Sequence, residues 1–286
     1  MTTDILAAID GSPESTAAAL WAADEAASRG LALRLVHAQT WLDDIHADPG
    51  QPEDVRALTA RMLAETAEQV QRQHPGLEVR TELLSGGDPV DLLAAADAEL
   101  LVLGSRGLGG FTGLLVGSVG LAVTARSDCP TVLVRAAQPV ATPDAREVVV
   151  GVDTREPSDT VLDFAFRQAA LRGTPLRAVH GWTPPSVWGY AGWVSPQIES
   201  TQFQALEAEL LHAAVAGWRE KFPEVEVIED SRVDTGSGAV VDASADAALV
   251  VVGRRRRPLP LSARLGPVAH AVVHHAHAPV AVVPHD

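Results

Sequence analysis

The chain has 286 residues, of which 47% are apolar, and a formal net charge of −15. That length suffices for two domains of ordinary size. The acidic charge argues against sequence-blind binding of nucleic acid, which depends on neutralising phosphates, so we expect no nucleic-acid partner. The single cysteine, Cys129, cannot form an intramolecular disulfide, and no secretory signal is visible at the N-terminus. We therefore expect a cytoplasmic protein without membrane insertion.

In the first half, short apolar runs alternate with amphipathic stretches. The pattern predicts strands near 4–9, 31–38, 77–84, 100–103 and 131–135, and helices near 15–29, 52–74, 89–96 and 118–126. Apolar strands separated by helices are typical of a parallel sheet covered on both faces. With right-handed crossovers, the prediction is a doubly wound, open α/β fold that binds ligands beyond the carboxyl ends of its strands.

A set of glycines follows the fourth predicted strand. Gly104 and Gly107 come directly after it, and Gly117 precedes Ser118, which we predict to be the N-cap of the next helix. Glycines let backbone N–H groups approach an anion, and a helix start adds unpaired donors and a positive dipole. The pattern therefore predicts a phosphate site, and Asp10, at the end of the first strand, is expected to converge on it.

The chain is a tandem repeat. Matched residues recur 143 residues apart early in each half and 149 apart later, as in the pairs Asp10 and Asp153, His37 and His180, Gly104 and Gly253, and Gly117 and Gly266. We assign the difference to an insertion near 182–200. The Pro- and Ala-rich stretch 136–146 is typical of a linker, and it predicts two domains, 1–141 and 142–286.

At these residues the chain resembles the universal stress proteins in their tandem-domain form. The ATP-binding motif of that family, G-x2-G-x9-G-[ST], is matched at every position by Gly104, Gly107, Gly117 and Ser118. The resemblance implies two open parallel-sheet domains of the Rossmann-like, adenine nucleotide alpha hydrolase-like type. It also implies ATP as the ligand, with or without Mg²⁺, pairing of the two halves, and a homodimer.

The resemblance further implies a role for each site residue. Asp10, with Gly11 and Ser12 beside it, would contact ribose and adenine. Ala38 would line the adenine pocket, and Leu103 and Gly104 would border the base and ribose. The phosphates would be held by Gly107, Gly117, Ser118 and Val119, with Ser105 and Arg106 as further phosphate contacts.

The second half departs from the motif. Arg256 stands where the first half has Gly107, and Pro267 replaces the Ser118 hydroxyl. A bulky residue would crowd a phosphate, and proline removes an N–H donor. We expect the second half to bind ATP weakly or not at all. Alternatives are that its arginines supply charge-assisted bonds, or that they form a solvated basic loop.

No catalytic residues or metal site are predicted. His270 and His274 have the i, i+4 spacing of a metal pair, but no carboxylate or cysteine stands near them in sequence. We therefore expect an ATP-binding stress-response or regulatory protein without efficient turnover, acting on a protein partner that the sequence does not identify. The alternatives are a slow ATPase or nucleotidyl or phosphoryl transferase using the same pocket, and a nucleotide-independent interaction scaffold.

Overall fold

The computed structural model describes residues 4–39, 52–105, 116–136, 147–184, 198–256 and 265–286. Contacts divide the chain into two compact units, Met1–Val140 with Arg256–Leu265, and Ala141–Arg255 with Gly266–Asp286. The predicted domain boundary at residues 141 and 142 falls outside the described residues and stays a prediction. In the part of the chain that is described, no helix combines the length and the apolar character needed to cross a bilayer.

The first unit has a parallel sheet whose strands follow the spatial order β3-β2-β1-β4-β5. Its strands are β1 (Asp4–Ala8), β2 (Ala32–Ala38), β3 (Val79–Leu84), β4 (Leu100–Gly104) and β5 (Thr131–Val134), and its helices are α1 (Pro13–Arg29), α2 (Pro52–Gln73), α3 (Pro89–Ala94) and α4 (Ser118–Arg126). The predicted α/β fold is confirmed. The order reverses direction between β1 and β4, which makes their carboxyl ends the switch point.

The second unit repeats this arrangement in the order β10-β9-β6-β7-β8, again with parallel neighbours. Its strands are β6 (Val148–Gly151), β7 (Leu176–Trp182), β8 (Val227–Val233), β9 (Leu249–Arg255) and β10 (Val280–His285). Its helices are α5 (Asp159–Arg172), α6 (Ile198–Lys221), α7 (Gly236–Ala243) and α8 (Pro267–His275), with a 3₁₀ turn at Ser244–Asp246. The switch point of this sheet lies between β6 and β9.

Helix α1 shows how local sequence positions the site. The Ser12 side chain caps its start, Pro13 fits the first turn, and Gly30 ends it with φ 66° in the left-handed region. Its buried face is almost entirely alanine, at positions 18, 19, 22, 23 and 26. Small side chains let the helix lie close to the sheet. The second half repeats the device, since α5 is capped by Ser158 and ends at Gly173 with φ 62°.

Candidate functional site

One carboxylate holds the turn after β1. Asp10 Oδ1 accepts hydrogen bonds from the backbone N–H of Ser12 at 3.0 Å and from the Ser12 hydroxyl at 2.6 Å. The Ser12 hydroxyl oxygen in turn accepts from the N–H of Ser15 at 3.1 Å. Gly11, between the two, has φ +82°, a conformation that favours glycine. The turn therefore fixes a half-buried carboxylate at the carboxyl end of β1 and next to a helix start.

Gly104 brings the end of β4 against the first turn of α1. A Cβ atom at this position would lie 2.8 Å from the carbonyl carbon of Glu14 and 2.8 Å from the nitrogen of Ser15. Any side chain would push these two backbone segments apart. Gly104 is expected to let an anion approach the backbone, and the structure shows that it also lets helix α1 approach. This contact places the end of β4 beside the Asp10 turn.

Helix α4 begins at Ser118, one residue earlier than Ser118 as a cap would allow. Gly117, not Ser118, is the N-cap, with φ −73° and ψ 154°, so the prediction for Ser118 as the cap is wrong. The physical reason is that the N–H of Gly117 donates to the carbonyl of Ser105 at 2.7 Å, which holds residue 117 in extended backbone. Glycine offers no side chain to the first-turn N–H groups, so those donors are available to a ligand.

The first residues of α4 face solvent. Ser118 is exposed, and the Val119 side chain is 45% exposed although it is apolar. Gly120 completes the first turn and is buried, and a Cβ there would lie 3.4 Å from a side-chain carbon of Leu133. The helix start is therefore seated on the sheet through Gly120 while Ser118 and Val119 stay accessible.

Ser105 is a buried polar residue directly after β4. It is 2% exposed, and its N–H donates to the carbonyl of Val134 at 2.7 Å. Among the described residues, its hydroxyl oxygen has no hydrogen-bond partner. A buried hydroxyl without a partner costs free energy that a bound molecule or water can recover.

The end of β2 lies beside the Asp10 turn. The N–H of Ile9 donates to the carbonyl of Val36 at 2.8 Å, and His37 Nδ1 lies 2.6 Å from the carbonyl oxygen of Ile9. The second contact ties the His37 ring to the backbone at the end of β1. Ala38 is the last residue of β2, is half-buried, and stands opposite Leu84 of β3.

The structure therefore brings most of the predicted residues to one edge of the first sheet. Leu103 is buried at 4% exposure and stands opposite Ala8, next to the Asp10 turn. We call the assembly of the Asp10–Ser12 turn, the β4 end at Gly104 and Ser105, and the α4 start at Gly117–Val119 the first-half site. Arg106 and Gly107 lie outside the described residues, so their predicted phosphate contacts stay predictions.

The second half keeps the turn but not its surroundings. Asp153 Oδ1 accepts from the N–H of Arg155 at 3.1 Å, as Asp10 does from Ser12. Gly266 is the N-cap of α8 and Pro267 its first residue, so the counterpart of α4 lacks the N–H of Ser118. Sequence reasoning missed one further feature, a buried contact of 3.1 Å between His180 Nε2 and Glu207 Oε2.

The histidines of α8 lie close to one another, since the ring centroids of His274 and His275 are 6.3 Å apart. The ring centroids of His270 and His274 lie 4.6 Å apart, as their i, i+4 spacing predicts. Within the described ranges, no group of three or more His, Cys, Asp or Glu side chains has the arrangement of a metal site.

Comparisons with known proteins agree with the repeat. The model of the Universal stress protein family matches residues 1–135 and again 145–284. Universal stress protein Rv2005c of Mycobacterium tuberculosis is 33% identical over 291 residues, which cover 97% of this chain and 96% of that protein. Universal stress protein Rv2623 of the same organism is 32% identical, with 97% and 95% covered. A crystal structure of a universal stress protein from Archaeoglobus fulgidus covers 99% of both chains with a TM-score of 0.68 and 18% identity, a likeness of fold.

Proposed function

Because this chain belongs to the universal stress protein family, with two such domains in tandem, we propose that its first half binds ATP and that the bound nucleotide regulates the protein. The observation that carries the proposal is the convergence of Asp10, Gly104 and Gly117 at the switch point of the first sheet. Open α/β sheets bind their ligands at such points.

The first-half site has groups suited to both the ribose and the phosphates of a nucleotide. A carboxylate accepts hydrogen bonds from the hydroxyls of a ribose. Because both donors of the Asp10 turn bond to Oδ1, we assign Oδ2 of Asp10 to the ribose hydroxyls. The start of α4 supplies N–H donors and the positive end of a helix dipole for phosphate. The Ser105 hydroxyl, buried without a partner among the described residues, would gain one from the ligand.

The proposed role is regulatory rather than catalytic. ATP bridging the Asp10 turn and α4 would tie together segments from opposite sides of the switch point. A ligand that binds one arrangement of these segments better than another shifts the population toward it. The exposed face near Val119 would then differ between the free and bound states, and a partner protein could sense that difference.

The repeat offers a matched pair of variants for the test. Val119 and Val268 are the second residues of α4 and α8, with 45% and 39% exposure. An aspartate in a first helical turn is favourable to the helix, so neither variant should unfold the protein. At about 10 Å and an effective dielectric constant of about 20, each negative phosphate charge would be repelled by roughly 1.5 kcal/mol, about tenfold in affinity.

We expect Val119→Asp to weaken ATP binding at least about tenfold in isothermal titration calorimetry at low salt, while Val268→Asp leaves it unchanged. Circular dichroism and thermal unfolding check that both variants stay folded. Equal affinities for Val119→Asp and the unaltered protein would place the phosphates elsewhere and refute the proposed site. Continuous release of ADP or AMP that Asp10→Asn abolishes would instead favour the enzymatic alternative.

A further inference from the structure

A cluster of polar side chains occupies the second half at the place that matches the first-half site. The turn residues Asp10, Gly11 and Ser12 correspond to Asp153, Thr154 and Arg155, 143 residues later. Helices α2 and α6 end 148 residues apart, as β3 and β8 begin 148 apart, so Thr59 of α2 corresponds to Glu207 of α6. Burial supports this alignment, since both Thr59 and Glu207 are buried, and each is followed four residues later by a buried leucine, Leu63 and Leu211.

Glu207 is the centre of the cluster. Its Oε2 lies 3.1 Å from His180 Nε2, and its Oε1 lies 3.3 Å from Arg155 Nη2. Thr154 Oγ1 is 3.3 Å from the same His180 nitrogen, and His180 Nδ1 is 3.1 Å from the carbonyl oxygen of Val152. We call Thr154, Arg155, His180 and Glu207 the Glu207 cluster. Three of its four side chains are buried, and the fourth, Arg155, covers it from the solvent side with 72% exposure.

At each position compared, the first half has a smaller, uncharged residue than the Glu207 cluster. The first half has Gly11, Ser12 and Thr59 at the positions of Thr154, Arg155 and Glu207 in the second half. The histidine is present in both halves, as His37 and His180. His37 and His180 make the same backbone contact through Nδ1, at 2.6 and 3.1 Å. The strand ends are thus alike, and the difference between the halves lies in the side chains that fill the space beside the histidine.

Two further residues of the second half differ from their counterparts in the first-half site. The counterpart of Ala38 is Gly181, where a Cβ would lie 2.5 Å from the carbonyl oxygen of Thr235 at the start of α7. The counterpart of Ser105 is Arg254, a much larger side chain that is also buried. The end of β7 is therefore covered by helix backbone at the position that the family resemblance assigns to adenine in the first half.

We infer that the Glu207 cluster closes the second-half counterpart of the nucleotide site from within, so that the chain binds one nucleotide although it has two domains of the family. The inference rests on the proposed function of the first half. A ligand entering the second half would have to separate Glu207 from both His180 and Arg155, and leaving a buried charge without its partner is costly. The Glu207 carboxylate already occupies His180 and Arg155, which would otherwise be available to a ligand.

Binding stoichiometry separates this inference from the proposed function. In equilibrium dialysis with ATP, we expect one nucleotide per chain, with affinity reduced about tenfold or more by Asp10→Asn and unchanged by Asp153→Asn. Two nucleotides of similar affinity would overturn the closure of the second half and leave the proposed function standing. No binding would overturn the proposed function itself, and a single site that responds to Asp153→Asn would overturn both.

The role of Glu207 in closing the second half is tested by placing a glutamate at the corresponding position of the first half, Thr59. We expect Thr59→Glu to weaken ATP binding at least about tenfold, because it puts a carboxylate at the position of Glu207, beside the strand end that the two halves share. Thr59→Gln, of the same size without the charge, should weaken it less, and Glu207→Thr should leave the first-half affinity unchanged. Unaltered ATP binding by a folded Thr59→Glu would refute Glu207 as the closing residue. If Thr59→Glu fails to fold, the stoichiometry still decides whether the second half is closed.

Discussion

Replacing Gly104 by alanine tests the close approach on which the first-half site is built. The added methyl group would stand 2.8 Å from two backbone atoms of α1, the Glu14 carbonyl carbon and the Ser15 nitrogen, where 3.4 Å or more is ordinary. Backbone at a capped helix start cannot rotate away, so we expect the upper part of the range for overpacking, about 2–3 kcal/mol. Moving α1 also moves the Asp10 turn, so ATP affinity should fall as well.

The repeat supplies the control, Gly253→Ala. Its methyl group would meet the His285 ring at 2.9 Å and a Val161 methyl group at 3.1 Å, which are side-chain atoms. His285 is half-buried at the end of β10 and can change rotamer, so we expect a cost of about 1 kcal/mol or less.

The assay is urea unfolding followed by circular dichroism, with the midpoints of the three proteins compared. Gly104→Ala should unfold at clearly lower urea than Gly253→Ala, and only Gly104→Ala should bind ATP more weakly. Equal midpoints, or a Gly104→Ala variant as stable as the unaltered protein, would refute the argument that β4 and α1 touch through this glycine.

Three further outcomes are expected. Ser12→Ala removes the cap of α1 and a 2.6 Å hydrogen bond, and should lower the free energy of unfolding by about 1–2 kcal/mol in urea. Gly11→Ala, at φ +82° with a methionine sulfur 3.0 Å from the new Cβ, should cost more than Gly30→Ala, at φ +66° with no atom within 4 Å; an equal loss would show that only backbone conformation matters. Burial raises the pKa of the Cys129 thiol, so iodoacetamide should label it more slowly at pH 8 than it labels a cysteine peptide. As the pH rises, the thiol of the unfolded chain should ionise before that of the folded protein, which lowers the free energy of unfolding at high pH. Labelling at the rate of the peptide would contradict the burial.

Periodicity and capping signals predicted most of the first half. Strand β2 was expected at 31–38 and lies at Ala32–Ala38, and α4 was expected at 118–126 and lies at Ser118–Arg126. Helix α1 begins two residues before its predicted start because Ser12 caps it and proline fits its first turn. These features depend on neighbouring residues, which is why one sequence suffices to predict them.

Contacts between distant residues were the part that sequence reasoning could not reach. Nothing in the pattern around Glu207 distinguishes it from a surface glutamate of an amphipathic helix, yet it is buried against His180, 27 residues away. Gly104 was predicted from phosphate chemistry, and its contact with α1 depends on how the helix packs. Residue preference favours Ser118 as the cap, whereas a backbone hydrogen bond between Gly117 and Ser105 decides the helix start.

In the proposed function, the first-half site binds ATP through Asp10. The most direct measurement is calorimetric titration of ATP into the full chain and into Asp10→Asn, a variant whose amide oxygen can still accept the two hydrogen bonds that hold the turn. We expect binding by the unaltered protein and a loss of about ten- to a hundredfold in the variant, the range for a hydrogen bond to a charged group. Equal affinities, or no binding of ATP by the unaltered protein, would contradict it.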